Sequence, residues 1–186
     1  MEWKKNDRIQ VTIEDMGDTG EGIGKTDGYT WFVKDAVIGD EVEAKVMKTK
    51  KSYGFARLEK IINASPNRVT PRCPVARQCG GCQLQAMDYK EQLAYKERKI
   101  YNNITRIGGF DEVPMLPVMG MEEPWRYRNK AQFPWGTDKA GKIITGFYAG
   151  RTHAIIENED CLLGIEENRE ILKIIKNHLE RYHIRP

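Results

Sequence analysis

The stretch "CPVARQCGGCQ", Cys73 to Gln83, holds three of the four cysteines in a chain of 186 residues. The spacing is C-x5-C-x2-C, and the remaining thiol, Cys161, stands alone far downstream in "ENEDCLLG". Two thiols separated by two residues can reach one metal centre, because a tight turn points both side chains the same way. Gly80 and Gly81 between them let the backbone bend and bring its amides near sulfur, where they stabilise negative charge. With Cys161 closing the group from a distant strand end, such a site would staple the second half of the chain together. Four thiolates suit tetrahedral zinc or a [4Fe–4S] cluster, and without metal they would be buried thiols or a redox disulfide. Structural zinc more often pairs C-x2-C with a second C-x2-C, and there is none here. Spacing alone leaves these readings open, and His153 reads as an ordinary residue beside them.

Outward from the cysteines, composition fixes the class. Hydrophobic content of 40% and charged content of 31% describe a globular chain long enough for one large domain or two small ones. "MEWKKNDRIQ" has no apolar signal core and no run is long enough to span a bilayer, so a cytoplasmic location with no membrane partner is expected. There thiols stay reduced and clustered cysteines more often bind metal than pair, and the sequon at Asn103 carries no meaning. The net charge is only +3. Its distribution says more: from Lys45 to Arg72 eight basic residues face a single acid, Glu59, whereas acids predominate from Met1 to Ala44. A local positive excess on a nearly neutral chain suits phosphate, although a solvated basic face has the same composition.

Residues 8 to 62 read as short strands. "RIQVTIEDM" alternates Ile9, Val11 and Ile13 on one face, "YTWFV" is aromatic and β-branched, and "EVEAKVMKT" alternates again through Val42, Ala44 and Val46. "SYGFARLEKII" completes five strands joined by glycine turns, which predicts an all-β five-stranded OB-like barrel. "GEGIGKT" nearly spells a P-loop, but Thr19 stands where that motif needs glycine and a strand follows where it needs a helix. "NASPNRVTPRC" reads as the boundary, giving domains at 1–62 and 63–186. The second is predicted as a smaller α+β region organised around the four-cysteine cluster. In it, Asp88 caps a helix with Glu91 three residues on, its stripe Leu93, Ile100, Ile104 and Ile107 running to Gly108-Gly109. "WRYRNKAQFPW", "IITGFYAG" and "THAIIENEDC" read as strands. A last helix from Glu166 to Tyr182 turns Leu172, Ile175, Leu179 and Tyr182 inward.

Aromatic residues sit beside the basic ones. Tyr29, Trp31 and Phe32 in the barrel, and Tyr53 and Phe55 in the basic stretch, are candidate surfaces for unpaired bases, although strand alternation must bury about half of them. Arg126, Arg128 and Lys130 alternate onto one face of the expected "WRYRNKAQ" strand, where three cations repel unless an anion meets them.

The order C-x5-C-G-G-C with a later cysteine, together with "GEGIGK", "WFVKDAVIGDEVEAKV", "YGFARLEKIINASPNRVTPRCP" and "WRYRNKAQFP", resembles the S-adenosylmethionine (SAM)-dependent RNA uracil-5-methyltransferases. The likeness is greatest to those acting on 23S ribosomal RNA, which carry an N-terminal TRAM domain and a [4Fe–4S] cluster. The resemblance implies Cys73, Cys79, Cys82 and Cys161 as cluster ligands. It also implies RNA as the partner; the basic and aromatic pattern offers Lys48, Lys50, Lys51, Tyr53, Phe55, Arg57, Arg126, Arg128 and Lys130 to meet it, on a protein expected to be a monomer. Members of that family continue into a methyltransferase domain with a nucleophilic cysteine. Here all four cysteines match ligand positions, and no glycine-rich cofactor turn occurs. The chain is therefore expected to be the RNA-recognition and iron–sulfur portion of such an enzyme, inactive alone, with SAM bound only by the full-length form. A stand-alone RNA-binding module with a structural cluster and an iron–sulfur redox protein are the competing readings.

Overall fold

The computed structural model describes residues 3–186, which fall into two compact units: the described residues up to Thr70 with Gln83–Met119, and Pro71–Cys82 with Gly120–Pro186. The first unit is built on five strands, β1 (Arg8–Met16), β2 (Gly22–Thr26), β3 (Tyr29–Lys34), β4 (Glu41–Thr49) and β5 (Tyr53–Asn63). They close into a barrel in the order β1-β2-β3-β5-β4, antiparallel except where β3 runs parallel to β5. The expected OB-like barrel is therefore present.

Alternation explains it. On β1, Ile9, Val11 and Ile13 are buried while their neighbours are exposed, and on β4 Val42, Ala44 and Val46 are buried between half-buried Glu41, Glu43 and Lys45. Burying each valine or isoleucine contributes roughly 1.5–3 kcal/mol. Trp31 fills the centre at 0% exposure. Gly54 makes room for it, since a Cβ there would lie 2.3 Å from the Trp31 ring. Asp27 and Gly28, both at positive φ, form the tight turn between β2 and β3. Because "GIGKT" is strand β2, no phosphate-binding loop forms there.

A buried clasp fixes the chain leaving the barrel. The Asp40 carboxylate, 0% exposed, accepts the Val37 amide at 2.7 Å and the Ser65 amide at 3.0 Å. Arg68 completes its shell, donating Nε at 2.9 Å and its terminal nitrogen at 2.6 Å. Helix α1 (Tyr89–Asn102) then starts at Asp88, whose carboxylate accepts the Lys90 amide at 3.0 Å. It ends in a five-residue π-turn, Asn103–Ile107. The expected apolar stripe is not what this helix buries: Tyr95 is 6% exposed, whereas Ile100 is 49% and Ile107 83% exposed. Glu91 does not close a capping box; it takes Arg98 at 2.7 Å.

In the second unit, β6 (Trp135–Thr137), β7 (Ile143–Tyr148) and β8 (Ile155–Glu157) form an antiparallel sheet, and α2 (Glu167–Arg181) contacts β7. The β6–β7 turn is tied by Asp138, which accepts the Ala140 and Lys142 amides at 2.8 and 2.9 Å. Of the four residues expected to turn inward on α2, Leu172 is buried, whereas Tyr182 is 57% exposed. The "WRYRNKAQ" strand does not form. Residues 125–134 are irregular apart from a single bridge of Arg128 to Gly164, and Arg126 sits at φ 56, which strand geometry excludes. No described helix is long and apolar enough to cross a membrane.

Candidate nucleic-acid interface

The outside of the barrel over β2–β5 gathers the basic and aromatic residues of the first unit. The pleat sends Trp31, Val33, Gly54 and Ala56 inward and leaves Phe32, Lys34, Tyr53, Phe55 and Arg57 outside. Parallel pairing sets Phe32 beside Phe55 and Lys34 beside Arg57, and β4 continues both rows with Lys48 and Lys45. Phe32 and Phe55 have ring centroids 5.5 Å apart, and Tyr53 stands edge-on to both at 5.6 Å. Lys48, Lys50, Lys51 and Arg57 are exposed.

The β4–β5 turn that carries Lys50 and Lys51 is anchored from below by Tyr29. Its hydroxyl lies 2.7 Å from the Lys50 carbonyl and accepts the Lys50 amide at 3.2 Å. Tyr29 is thus a structural tie, and Trp31 is core; neither is the stacking surface the aromatic pattern suggested. Phe32, pooled with them in the sequence, is the one that reaches the outer face.

In the second unit Arg126 is bound on both sides of its guanidinium by Asp160, at 2.7 and 3.2 Å, and also donates to the Cys161 carbonyl at 3.2 Å. The hydrogen bond to Asp160 holds Arg126 firmly protonated, and the same contact holds the Asp160 carboxyl below its ordinary range. Arg128 and Lys130 are exposed. The amides of Arg126 and Arg128 donate to the Leu162 and Leu163 carbonyls, so this segment rides on the residues that follow Cys161.

All four cysteines lie in the second unit, which is assembled from the two segments that carry them. Cys79 bridges to Ala149, and the Gly80 amide donates to the Tyr148 carbonyl at 2.9 Å, so close that a Cβ on Gly80 would sit 2.8 Å from that oxygen. The Gly81 amide points at the Cys79 sulfur at 3.3 Å. Burial pushes the Cys73 thiol up, against a smaller opposing effect of the Val75 backbone hydrogen bond. The donor chemistry suits a thiolate-bound metal. Among the described residues no group of three or more His, Cys, Asp or Glu side chains is set to hold a metal ion. The region expected to be organised around a cluster is organised by a three-stranded sheet.

A closed five-stranded barrel of this kind is an OB-type architecture. Residues 2–58 match the TRAM domain family. Beyond the barrel, the chain resembles RNA methyltransferases. An uncharacterized RNA methyltransferase of Halalkalibacterium halodurans is 47% identical over 181 residues, covering 97% of this chain and 39% of that protein. One of Clostridium tetani is 46% identical with the same coverage. The crystal structure of the Pyrococcus abyssi tRNA (uracil-54, C5)-methyltransferase in complex with S-adenosyl-L-homocysteine superposes with a TM-score of 0.61. It is 26% identical and is matched over 94% of this chain and 37% of that one. The chain thus spans about two fifths of the length of the curated relatives it matches.

These findings correct one expectation. The chain was expected to be an iron–sulfur portion inactive alone, or else a separate cluster-bearing module or redox protein. Relatives that match 97% of it are named RNA methyltransferases, and no metal-holding group occurs among the described residues.

Proposed function

We propose that the protein is a SAM-dependent RNA methyltransferase that holds its RNA against the outer face of the barrel. One observation carries the RNA contact: Lys34, Arg57 and Lys45 stand in register on neighbouring strands and form no ion pair among the described residues, an arrangement that favours a bound polyanion. The names of the relatives support methyl transfer to RNA, and the product cofactor bound by the Pyrococcus enzyme supports SAM as the donor. The same neighbour supports C5 of a uridine as the position modified. The resemblance implies ribosomal RNA, the 23S molecule, as the substrate.

In this reading the barrel, residues 1–62, grips RNA, and residues 63–186 place it. Lys48, Lys50, Lys51 and Arg57 meet phosphates, while Tyr53 and Phe55 offer rings to bases. Arg128 and Lys130 add contacts from the second unit, on a segment that Arg126 positions through Asp160. The test is transfer of labelled methyl from SAM to total ribosomal RNA by the protein, followed by nucleoside analysis. Label in 5-methyluridine is the expected result. Label in another nucleoside, or none from protein shown to bind RNA, overturns the reading.

Cys73, Cys79, Cys82 and Cys161 are proposed apart from this as one ligand set, and no step of the reaction is routed through them. Their gathering from two segments into one unit supports it, and the resemblance implies a [4Fe–4S] cluster as the occupant. Iron and sulfide near four each per chain after anaerobic purification, both lost in Cys82→Ser, are expected. Protein free of both ends the assignment.

A further inference from the structure

We propose that the outer face over β2–β5 is a stacking platform for unpaired RNA bases, with Phe32 as its central ring and Lys34, Lys45 and Arg57 holding the adjoining phosphates. This rests on the RNA reading above and narrows it from RNA to single-stranded RNA.

Two rows of side chains cross the barrel side by side. The first is Ile23, Phe32, Phe55 and Lys48, each opposite the next on the neighbouring strand. The second, two residues along on β3 and β5 and three on β4 where the register shifts, is Lys34, Arg57, Lys45 and Arg8. Four cations directly opposite one another at strand spacing repel. At the end of the row the protein relieves this itself, pairing Arg8 with Glu59 at 3.3 Å and Glu43 at 3.7 Å. Lys34, Arg57 and Lys45 form no ion pair among the described residues. A row neutralised only at the end away from the rings is arranged for an anion that arrives beside them.

The rings define what that anion carries. The core has no need of them, since Trp31 already fills the barrel. Phe32 packs against both other rings: its plane is tilted 31° from that of Phe55, and Tyr53 closes the group edge-on at 79° and 83°. Tyr53 remains 37% exposed. Flat apolar faces beside a line of cations complement a chain of alternating bases and phosphates. A duplex presents phosphates but hides its base faces in the stack, so it would engage the cation row alone.

The experiment uses the full chain and three fluorescein-labelled 12-nucleotide RNAs: a single strand, the duplex of the same sequence, and an abasic single strand. Affinities are read by anisotropy across a salt series, with circular dichroism as the fold control. The single strand should bind roughly tenfold or more tighter than the abasic strand or the duplex. Phe32→Leu, which keeps an apolar side chain at the site, should remove about tenfold of single-strand affinity and leave the abasic affinity and the salt slope unchanged. Lys34→Gln with Arg57→Gln should instead weaken all three RNAs about equally and flatten the salt slope by roughly two. Should Phe32→Leu fail to fold, Tyr53→Leu at its exposed ring carries the same expectation. A single-strand preference untouched by either leucine variant, with binding still steep in salt, overturns the platform and leaves the RNA reading standing. Absence of binding to all three RNAs at low salt overturns the RNA reading itself.

Discussion

Tyr95 shows how much one residue can decide. It is the buried side chain of α1, and its hydroxyl donates to the Gly17 carbonyl at 2.7 Å, joining the helix to the end of β1. Burial pushes its phenol up from the ordinary 10.0, against a smaller opposing effect of Lys99. The sign follows from which state ionises first. Below pH 10 the phenol is neutral folded or unfolded, and its contribution is fully present. As pH rises, the unfolded chain loses the proton first, and stability falls until the folded pKa is passed. Tyr95→Phe should therefore cost about 1 kcal/mol at pH 8, the usual worth of one hydrogen bond. That gap should narrow toward pH 11, because only the wild type carries the ionising group. Urea unfolding of both proteins at the two pH values measures it, and a gap that stays constant would refute the linkage.

At the scale of elements, the sequence was most legible where one face of a strand is buried and the other solvated. Ile9, Val11 and Ile13, then Val42, Ala44 and Val46, spell the barrel because period-two alternation has a single physical cause. The same rule misleads at residues 125–134. Arg126, Arg128 and Lys130 alternate as in a strand, but among the described residues only an isolated bridge from Arg128 to Gly164 forms, and the fold spends Arg126 on Asp160 instead. Alternation of charge without a buried face is weak evidence for a sheet. Helix α1 misleads differently. Counting Leu and Ile located a stripe, whereas the buried position went to a tyrosine whose hydroxyl found a carbonyl, a choice set by partners far away in sequence. The interface was half legible. Tyr53 and Phe55 share a face by alternation alone. Their meeting with Phe32 depends on the parallel β3–β5 register, which no local pattern encodes. Asp40 was invisible in the sequence, because its burial follows from Ser65 and Arg68 returning to it across the closed barrel.

At the scale of the whole molecule, binding and chemistry should separate under mutation. Lys50 and Lys51 stand on the β4–β5 turn, exposed and clear of the barrel core, so reversing them to glutamate should leave the fold intact. If the barrel supplies grip that is equal in ground and transition states, losing it raises KM for RNA and leaves kcat nearly unchanged. Replacing two cations by two anions should raise KM roughly tenfold or more near physiological salt and make it less sensitive to salt. KM for SAM should not move, since the change touches only RNA. Steady-state methyl transfer at several salt concentrations measures all three quantities. A fall in kcat with an unchanged RNA KM would mean that these lysines act at the reacting uridine rather than at a distance. The barrel would then have to be read as part of the catalytic site and not as its grip.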